Sequence, residues 1–341
     1  MLKRLAITIA GCALLLTACG GNGENGGKGS GNAQTPIPSS VGVPSPSGAN
    51  GTGAVERLKP EQLAQALLEG QYGRVHAQMS EQFRSNVTEQ QLQTVYEEIK
   101  GSAPEWKSAA NMQLNEGRYL VWTNPDERLG LLATFDSEDT ITGLQIMPLD
   151  SYPDTDKQFT KLAYGLPFEG EWYVFWGGRN VLVNYHYEYA GQRYAYDFIR
   201  IQDGFSYSGD PTRNESYYAF GQPILAPREG KVVHVVNDIA DNVPVGKMNE
   251  EHPAGNVVVI DHGNGEFSFL AHLQMGSVKV KVGDRVAKGD TVGLCGNSGN
   301  SSEPHLHYQV SDKQDLFEGK SIRIRWDNEL DPLQGTLLGE K

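Results

Sequence analysis

The sequence predicts an all-β domain over residues 166–335, preceded by a small α+β domain over residues 55–150. Beyond Leu166, short alternating or apolar runs recur between glycine-rich turns, which is typical of antiparallel strands. Between Val55 and Gly101, apolar residues recur at helical spacing instead, and three strand-like runs follow them. A length of 341 residues also favours two domains over one.

The N-terminal segment has the features of a secretion signal. Lys3 and Arg4 precede an apolar run that is too short to span a bilayer. The run ends in Leu-Thr-Ala-Cys19, which resembles a bacterial lipobox, a signal in which the cysteine is lipidated and becomes the mature N-terminus. The sequence therefore predicts a lipoprotein signal peptide over residues 1–18 and a lipid anchor on Cys19, on the extracytoplasmic face of a membrane. An ordinary signal peptide that is cut nearby is the alternative.

A tether is predicted to separate this anchor from the folded domains. Residues 19–54 consist mostly of Gly, Asn, Ser, Pro, Thr and Ala, a composition that cannot bury a core. A flexible chain of this length spans roughly 30–35 Å between its ends. We expect a passive, disordered spacer.

The predicted α+β domain begins with helices. Pro60 precedes a leucine-rich stripe that Gly70 ends, which is typical of a helix with proline in its first turn. A second helix is predicted over residues 75–83, and Thr88 begins a capping box for a third that Gly101 ends. Three strands are expected at residues 118–123, 129–135 and 140–147. This order of elements resembles small cystatin-like or nuclear-transport-factor-like domains.

The predicted all-β domain contains nine strand-like segments. They are residues 172–176, 181–189, 192–201, 231–236, 257–261, 266–272, 277–280, 291–295 and 305–310. Two long polar loops, residues 203–220 and 238–255, interrupt them. Loops of this kind carry specificity where they flank a site.

Charge and cysteine content narrow the possible functions. The formal net charge of −13 argues against nucleic acid or an anionic membrane surface as the main ligand. Cys295 is the one cysteine beyond the predicted signal and its lipobox, so an intramolecular disulfide in the folded part is excluded. Its glycine-rich β setting predicts a buried strand residue, and a nucleophilic cysteine is the alternative.

Two histidines near the C-terminus lie in a predicted strand, in the segment Pro304-His305-Leu306-His307-Tyr308. Side chains two residues apart point to the same face of a strand, so both imidazoles can serve one site. One ring can bind a metal while the other handles a proton. His272, Asp197 and His186 lie in other predicted strands, and neutral imidazole with carboxylate is a ligand set for zinc.

Five segments in this region carry a family resemblance. They are residues 255–263 (GNVVVIDHG), 270–273 (LAHL), 282–290 (VGDRVAKGD), 293–299 (GLCGNSG) and 304–307 (PHLH). In order and spacing they resemble the lysostaphin-type, or LytM-type, zinc metallopeptidases (metallopeptidase family twenty-three, duplicated hybrid motif). The resemblance implies antiparallel β-sheets with a groove, one bound Zn²⁺, and endopeptidase cleavage of peptidoglycan peptides.

The resemblance also implies the metal ligands. It places zinc on Asp197, on His307 and on a further histidine that usually stands four residues before the aspartate. Arg193 occupies that position here and cannot donate a lone pair to a metal. His186 is the predicted substitute, because a two-residue turn at Gly191-Gln192 would pair it directly with Asp197 in a hairpin. Other members of the broad family resemble this chain in having Asn-x-His ahead of Arg-Tyr-Ala-x-Asp.

His272 and His305 match the two histidines that the family keeps near the metal without binding it. The resemblance therefore implies proton handling by both residues. No H-E-x-x-H segment occurs, so the glutamate base of thermolysin-like enzymes is excluded. His234, His252 and His262 are predicted to be sheet, loop and turn residues without a direct catalytic role.

Three functions remain open on the sequence alone. The first is a zinc-dependent endopeptidase that hydrolyses peptidoglycan peptide at the cell surface. The second is a catalytically inactive LytM-like domain that binds peptidoglycan or activates another cell-wall hydrolase. The third is a lipoprotein whose β domain only binds carbohydrate. Retention of a complete ligand set favours the first, because a domain released from catalysis has no reason to keep it.

Overall fold

The computed structural model describes residues 56–316 and 318–339. The predicted signal peptide 1–18, the lipidation site Cys19 and the tether 19–54 lie outside the described residues. Within the described part of the chain, no helix combines the length and the apolar character needed to cross a membrane.

Helices form the first part of the described chain. They are α1 (Leu63–Leu68), α2 (Tyr72–Ala77), α3 (Glu81–Asn86) and α4 (Glu89–Ile99), with a short α5 (Pro153–Asp156) further along. The capping box at the start of α4 is confirmed: Thr88 Oγ1 accepts from the Gln91 amide at 3.2 Å, and Gln91 Oε1 accepts from the Thr88 amide at 2.9 Å.

The single helix predicted over residues 75–83 is wrong, because α2 ends at Ala77 and a new helix, α3, begins after Ser80. The Ser80 side chain caps α3 by accepting from the Phe83 amide at 3.2 Å. The Ser80 amide itself donates to the carbonyl of Ile141 in the neighbouring sheet. Competition from a cap and a sheet contact therefore overrides the helical spacing of the apolar residues.

A four-stranded antiparallel sheet follows, in the order β1 (Lys107–Leu114), β2 (Gly117–Thr123), β3 (Leu129–Phe135) and β4 (Ile141–Pro148). The last three strands confirm the prediction. Strand β1 was not predicted, since its sequence, KSAANMQL, lacks the β-branched residues that mark strands. Leucine, valine and aromatic residues of the helices pack on one face of this sheet and close a small α+β core.

Twelve further strands follow in the described part of the chain, most of them in one larger sheet. They are β5 (Phe159–Tyr164), β6 (Trp172–Trp176), β7 (Tyr196–Ile199), β8 (Pro223–Leu225), β9 (Gly230–Val236), β10 (Asn256–Asp261), β11 (Phe267–Leu273), β12 (Arg285–Val286), β13 (Thr291–Leu294), β14 (Leu306–Ser311), β15 (Ser321–Trp326) and β16 (Leu337–Leu338). The central path runs β12-β9-β10-β11-β14-β7-β6-β16, while β13 and β8 form a separate pair. All pairings in the larger sheet are antiparallel except that of β15 with β5. The all-β prediction is therefore confirmed.

Two predicted strands are absent and a third is shortened. Residues 181–189 contain a 3-10 helix, Tyr185–Glu188, instead of a strand, and residues 277–280 have no regular structure. Within residues 192–201 only β7 is a strand. The backbone of the 181–189 segment bonds within its own turns, for example from Tyr187 N to Asn184 O, so no ladder forms. The hairpin register that predicted a direct pairing of His186 with Asp197 is wrong.

The two faces of the large sheet differ in composition. Residues of one face, such as Leu270 and Tyr308, enter the main apolar core. Alternate residues of the same strands, such as Ala271 and His307, point to the opposite face. All five site residues predicted within the described chain collect on or beside that opposite face, which is called the site face below.

The four-stranded sheet contacts the large sheet beside the strand that carries Asp197. Met112 and Leu114 of β1 pack with Ile199 of β7. The Asn115 amide donates to the carbonyl of Gly204 at 2.8 Å, and Asn115 Oδ1 accepts from the Ser206 amide at 2.9 Å. These contacts place the α+β region against one flank of the site.

Candidate metal centre

Asp197 and His307 form the base of the site as a directly opposed pair on β7 and β14. Opposed residues of antiparallel strands share one face and lie close together. His307 Nδ1 lies 2.9 Å from Asp197 Oδ1, and both side chains are buried. Two ligand atoms are thus supplied by the most regular part of the sheet.

His186 completes the group from outside the sheet. It lies in the 3-10 helix that Asn184 caps, and its Nε2 is 3.1 Å from Asp197 Oδ2. The fully buried Asn184 amide donates to the carbonyls of Gly178, Arg193 and Ala195, which folds the segment over β7. The predicted proximity of His186 and Asp197 is present, although a capped turn produces it instead of a hairpin.

His186, Asp197 and His307 can hold a metal ion. One ligand atom from each lies within 4.8 Å of the other two, and no other such group of three occurs among residues 56–316 and 318–339. Imidazole and carboxylate in this ratio form the three-ligand set that zinc uses in hydrolytic sites.

Two glutamines face the far nitrogens of His307 and His186, which are the ring nitrogens that point away from Asp197. Gln309 donates through Nε2 to the Gly191 carbonyl at 2.9 Å, so its Oε1 is the atom that faces His307 Nε2 at 3.1 Å. Gln192 Oε1 lies 2.9 Å from His186 Nδ1. An amide oxygen only accepts, so both far nitrogens carry the ring hydrogen. His307 Nδ1 and His186 Nε2 are left with their lone pairs toward Asp197.

The hydrogen-bond pattern calls for a cation between the three side chains. Each ring has an acceptor at both nitrogens, a glutamine oxygen and an Asp197 oxygen, but a neutral imidazole carries only one hydrogen. Burial lowers the pKa of His186 despite the adjacent Asp197, so the doubly protonated ring is disfavoured. A metal ion bound by the two lone pairs and the carboxylate satisfies all three groups.

Asp197 is ionised in this environment. Burial acts to raise the pKa of its carboxyl, but positive charge at the neighbouring His186 and His305 outweighs burial and holds the pKa well below its usual range. A metal ion bound between neutral rings would supply that positive charge instead. A carboxylate that stays charged inside the protein requires a compensating positive charge. The side chain is therefore prepared to bind a cation.

His272 reaches the site through a bulge in the pairing of β10 with β11. The register shifts between Asn256 and Val258, and His272 has a φ of +59°. Without this irregularity His272 would point to the face opposite that of its neighbour Ala271. With it, the His272 ring lies 5.8 Å from that of His307 and 4.7 Å from that of His305, measured between ring centroids.

His305 turns a free lone pair toward Asp197. Its Nδ1 donates to the Glu303 carbonyl at 2.8 Å, so its Nε2 carries the lone pair. That Nε2 is buried, has no hydrogen-bond partner in the structure and lies 3.8 Å from Asp197 Oδ1. His272 is held in the same way, since its Nδ1 donates to the Ser298 carbonyl at 2.8 Å. Burial lowers the pKa of both rings, which keeps them neutral and able to accept a proton.

Residues predicted to be outside the site lie outside it. Arg193 is buried against the Tyr152 ring and donates through Nε to the Tyr187 carbonyl. His262 bridges the Glu229 carbonyl and Ser268 Oγ. Cys295 is fully buried, and burial raises the pKa of its thiol far above the usual range, so a nucleophilic thiolate is excluded.

The sequence did not identify the residues that orient the ligands. Asn184, Gln192 and Gln309 are ordinary polar residues by type, and only their contacts reveal their roles. A usable signal existed for Gln309, because it stands two residues after His307 and must share its face of the strand. No comparable signal marks Gln192.

Comparison with known proteins assigns the family. Residues 216–319 match the family model described as Peptidase family M23, and this stretch includes His272, His305 and His307. The chain carries a peptidase family M23 domain. The matched stretch begins after His186 and Asp197, the region in which this chain departs from the compact ligand motif.

Relatives of this chain include a protein named as a peptidoglycan endopeptidase and one named as an activator of murein hydrolases. Peptidoglycan DD-endopeptidase ShyA of Vibrio cholerae is 45% identical over 91 residues, which cover 26% of this chain and 17% of that protein. Murein hydrolase activator EnvC of Escherichia coli is 38% identical over 56 residues, 16% of this chain and 13% of that protein. The chain thus spans less than a fifth of the length of either relative.

A solved structure also aligns with part of this chain. The catalytic domain of lysostaphin from Staphylococcus simulans aligns at 19% identity over 50% of this chain and 95% of that chain, with a TM-score of 0.25.

Proposed function

We propose that this protein is a zinc-dependent endopeptidase that hydrolyses peptide bonds of peptidoglycan on the extracytoplasmic side of the membrane. One observation carries the proposal. His186, Asp197 and His307 converge with their lone pairs and charge directed at one point, and a cation bound there would complete the contacts of both rings.

The residues of the site would have two roles in hydrolysis, metal binding and proton transfer. His186, Asp197 and His307 would hold zinc, which when bound supplies Lewis-acid chemistry to the scissile carbonyl and to water. His305 and His272 each keep Nδ1 bonded to a backbone carbonyl, so Nε2 is the atom that accepts a proton or donates to developing negative charge. Their lowered pKa values keep that atom unprotonated at neutral pH.

Peptidoglycan as the substrate is supported by the named relatives. ShyA, named a peptidoglycan DD-endopeptidase, is 45% identical to this chain over 91 residues, and the family match spans His272, His305 and His307. The extended face of the sheet beside the metal centre also suits a peptide, which can lie across strands in an extended form.

A non-cutting role is the second candidate, because the relative named EnvC is an activator of murein hydrolases. In that role the domain would bind peptidoglycan or a partner hydrolase without cleaving. The unpartnered Nε2 of His305 argues against a non-cutting role. A buried polar nitrogen without a hydrogen bond destabilises the fold, and a catalytic role for that nitrogen would explain why it is kept.

Two substitutions separate metal binding from chemistry. His307→Ala is expected to lose stoichiometric zinc and all activity. His305→Ala is expected to keep zinc and to lose at least about a hundredfold in kcat on muropeptides, since it removes a proton acceptor and no ligand. His76→Ala, in the α+β region, is the control. Full zinc content in the wild-type protein with no cleavage of muropeptides from several wall types would favour the non-cutting role.

We also propose that a lipid on Cys19 anchors the protein at the extracytoplasmic membrane face. The proposal is supported by the basic and apolar signal and the lipobox-like ending at Cys19. In cell fractionation, Cys19→Ala should release the protein from membranes or leave an unprocessed precursor. An unchanged mass and unchanged membrane fraction would contradict it.

A further inference from the structure

A cavity continues the site face away from the metal centre. Cross-strand pairs place Ala271 of β11 next to His307, Val257 of β10 beyond it at the bulge, and Val236 of β9 opposite Val257. All of these side chains share one face of the sheet. Val236 and Val257 line a cavity of about 420 Å³, which is within the range of ligand-binding pockets.

The floor of the cavity is apolar. Val257, Val259 and Phe269 form it, and together with Ala271 they make a buried cluster separate from the main core. Ala271 is the smallest of these side chains, is itself buried and lies between His307 and the cavity.

The rim of the cavity carries acidic groups. One wall is the segment 251–255, which includes the exposed Glu251, and the other is the segment 314–316, which includes Asp315. Among the residues that the structure describes, no lysine or arginine lines the cavity, and its basic side chains are those of His234 and His252. An apolar floor under a rim of this charge suits an aliphatic stem that ends in a cation.

The spacing of the strands gives the position of the cavity relative to the metal centre. Neighbouring strands are about 4.8 Å apart, so Val257 is about 10 Å and Val236 about 14 Å from His307. An extended peptide advances about 3.3 Å per residue. A chain that crosses the strands from the metal centre therefore places its third or fourth residue over the cavity.

The first wall is tied directly to the catalytic histidine. The His272 amide donates to the Ala254 carbonyl at 3.0 Å, and the Asn300 amide donates to the Pro253 carbonyl at 3.0 Å. The wall and the metal centre are thus parts of one hydrogen-bonded unit. A peptide held by the wall is held in register with the reacting groups.

We propose that this cavity is a specificity subsite for a substrate residue with an aliphatic side chain ending in a primary amine, three or four residues from the cleaved bond. The inference rests on the proposed function, since it places the cleaved bond at the metal centre. The stem lies on the floor formed by Val257, Val259 and Phe269, and the amine reaches Glu251 at the rim.

A peptide series tests the subsite. Peptides with one cleavable bond carry lysine, norleucine, alanine or glutamate at each successive position from that bond, and kcat/KM is measured for each with the zinc-loaded full chain. Lysine should exceed alanine by at least about tenfold at the third or fourth position and nowhere else, because the stem gains apolar contact there. Norleucine should fall between the two, and glutamate should be the poorest.

A matched pair of variants assigns the amine contact. Glu251→Gln should reduce the preference for lysine over norleucine to about one. Glu250→Gln alters the exposed neighbour, which does not line the cavity, and should leave the preference intact. Equal kcat/KM for lysine, norleucine and alanine at every position would overturn the subsite, as would equal effects of the two variants.

A binding measurement separates failure of the subsite from failure of the proposed function. Dissociation constants of the same peptides are measured calorimetrically with the metal-free protein, in which no bond is cut. A lysine preference in binding that Glu251→Gln removes upholds the subsite even if no peptide is cleaved. Cleavage without any side-chain preference in binding or rate refutes the subsite and leaves the peptidase intact.

Discussion

At the scale of single residues, the hydrogen-bond partner of the outer ring nitrogen of His186 or His307 decides whether the nitrogen that faces Asp197 can act as a metal ligand. Gln309 is anchored by its donation to the Gly191 carbonyl, so its oxygen can only face His307. The hydrogen on His307 is therefore confined to Nε2, and Nδ1 stays free for a metal. Such orienting contacts raise ligand basicity and lock the ring.

Removing the Gln309 oxygen is expected to weaken metal binding. Gln309→Leu should lower zinc affinity about 10–100-fold, because the His307 ring loses the acceptor that sets its tautomer. Gln309→Glu keeps an acceptor at the same place and should lose clearly less. Competition with a chromophoric chelator measures both affinities, and equal losses in the two variants would show that the acceptor has no such role.

At the scale of elements, the bulge between β10 and β11 recruits His272 to the site face. Its geometry depends on a close approach of two loops at Gly255. A Cβ on Gly255 would lie 2.4 Å from the Ser298 carbonyl oxygen, the atom that accepts from His272 Nδ1. Only glycine leaves space for that carbonyl at a φ of +58°.

Gly255→Ala is therefore expected to displace Ser298 and misplace His272. Activity should fall at least about tenfold while zinc content stays stoichiometric, since no ligand is touched. Gly265→Ala is the control, because Gly265 also has a positive φ, of 74°, but its added Cβ would meet nothing within 4 Å. Kinetics and metal content of both variants test this, and a similar loss of activity in the control would mean that backbone strain alone is responsible.

At the scale of the whole molecule, the half-buried Glu303 lies where the α+β region meets the large sheet. Burial is the main cause that raises the pKa of Tyr119 on β2 and of Tyr217, and the negative charge of Glu303 is the second. Glu303 Oε1 has no hydrogen-bond partner in the structure. Burial raises the pKa of Glu303 itself to about 7, and Ser206 only partly offsets this.

Stability is expected to depend on pH through this carboxyl group. Its folded-state pKa of about 7 exceeds the reference value of 4.5, so the folded protein binds the proton more tightly than the unfolded chain. The resulting stabilisation is complete below about pH 4.5 and is lost as pH rises through 7. Its size is up to about 3 kcal/mol, from the shift in pKa.

Glu303→Gln removes the penalty for the charged form. The metal-free variant should be up to about 3 kcal/mol more stable than the wild type at pH 8 and less than about 1 kcal/mol more stable at pH 5. Urea unfolding at both pH values measures the difference, with Glu138→Gln at an exposed position as the control. A difference that is the same at pH 5 and pH 8 would contradict the assignment.

The sequence by itself determined the all-β class of the larger domain, most of its strands and the residue types of the site. Those features depend on local periodicity and on spacing within one strand, as for His305 and His307, which share a face because they are two residues apart. The M23 motifs around them are local in the same sense. For this reason they could be read without tertiary information.

Only the tertiary structure decided how His186 and His272 reach the metal centre. His186 arrives through a turn that Asn184 ties to three carbonyls, and His272 through a register shift that a neighbouring loop enforces. Local patterns predict strands at both places, because they contain no term for hydrogen bonds to distant backbone. For the same reason the sequence did not reveal Gln192 and Glu303, whose roles depend on contacts that only folding creates.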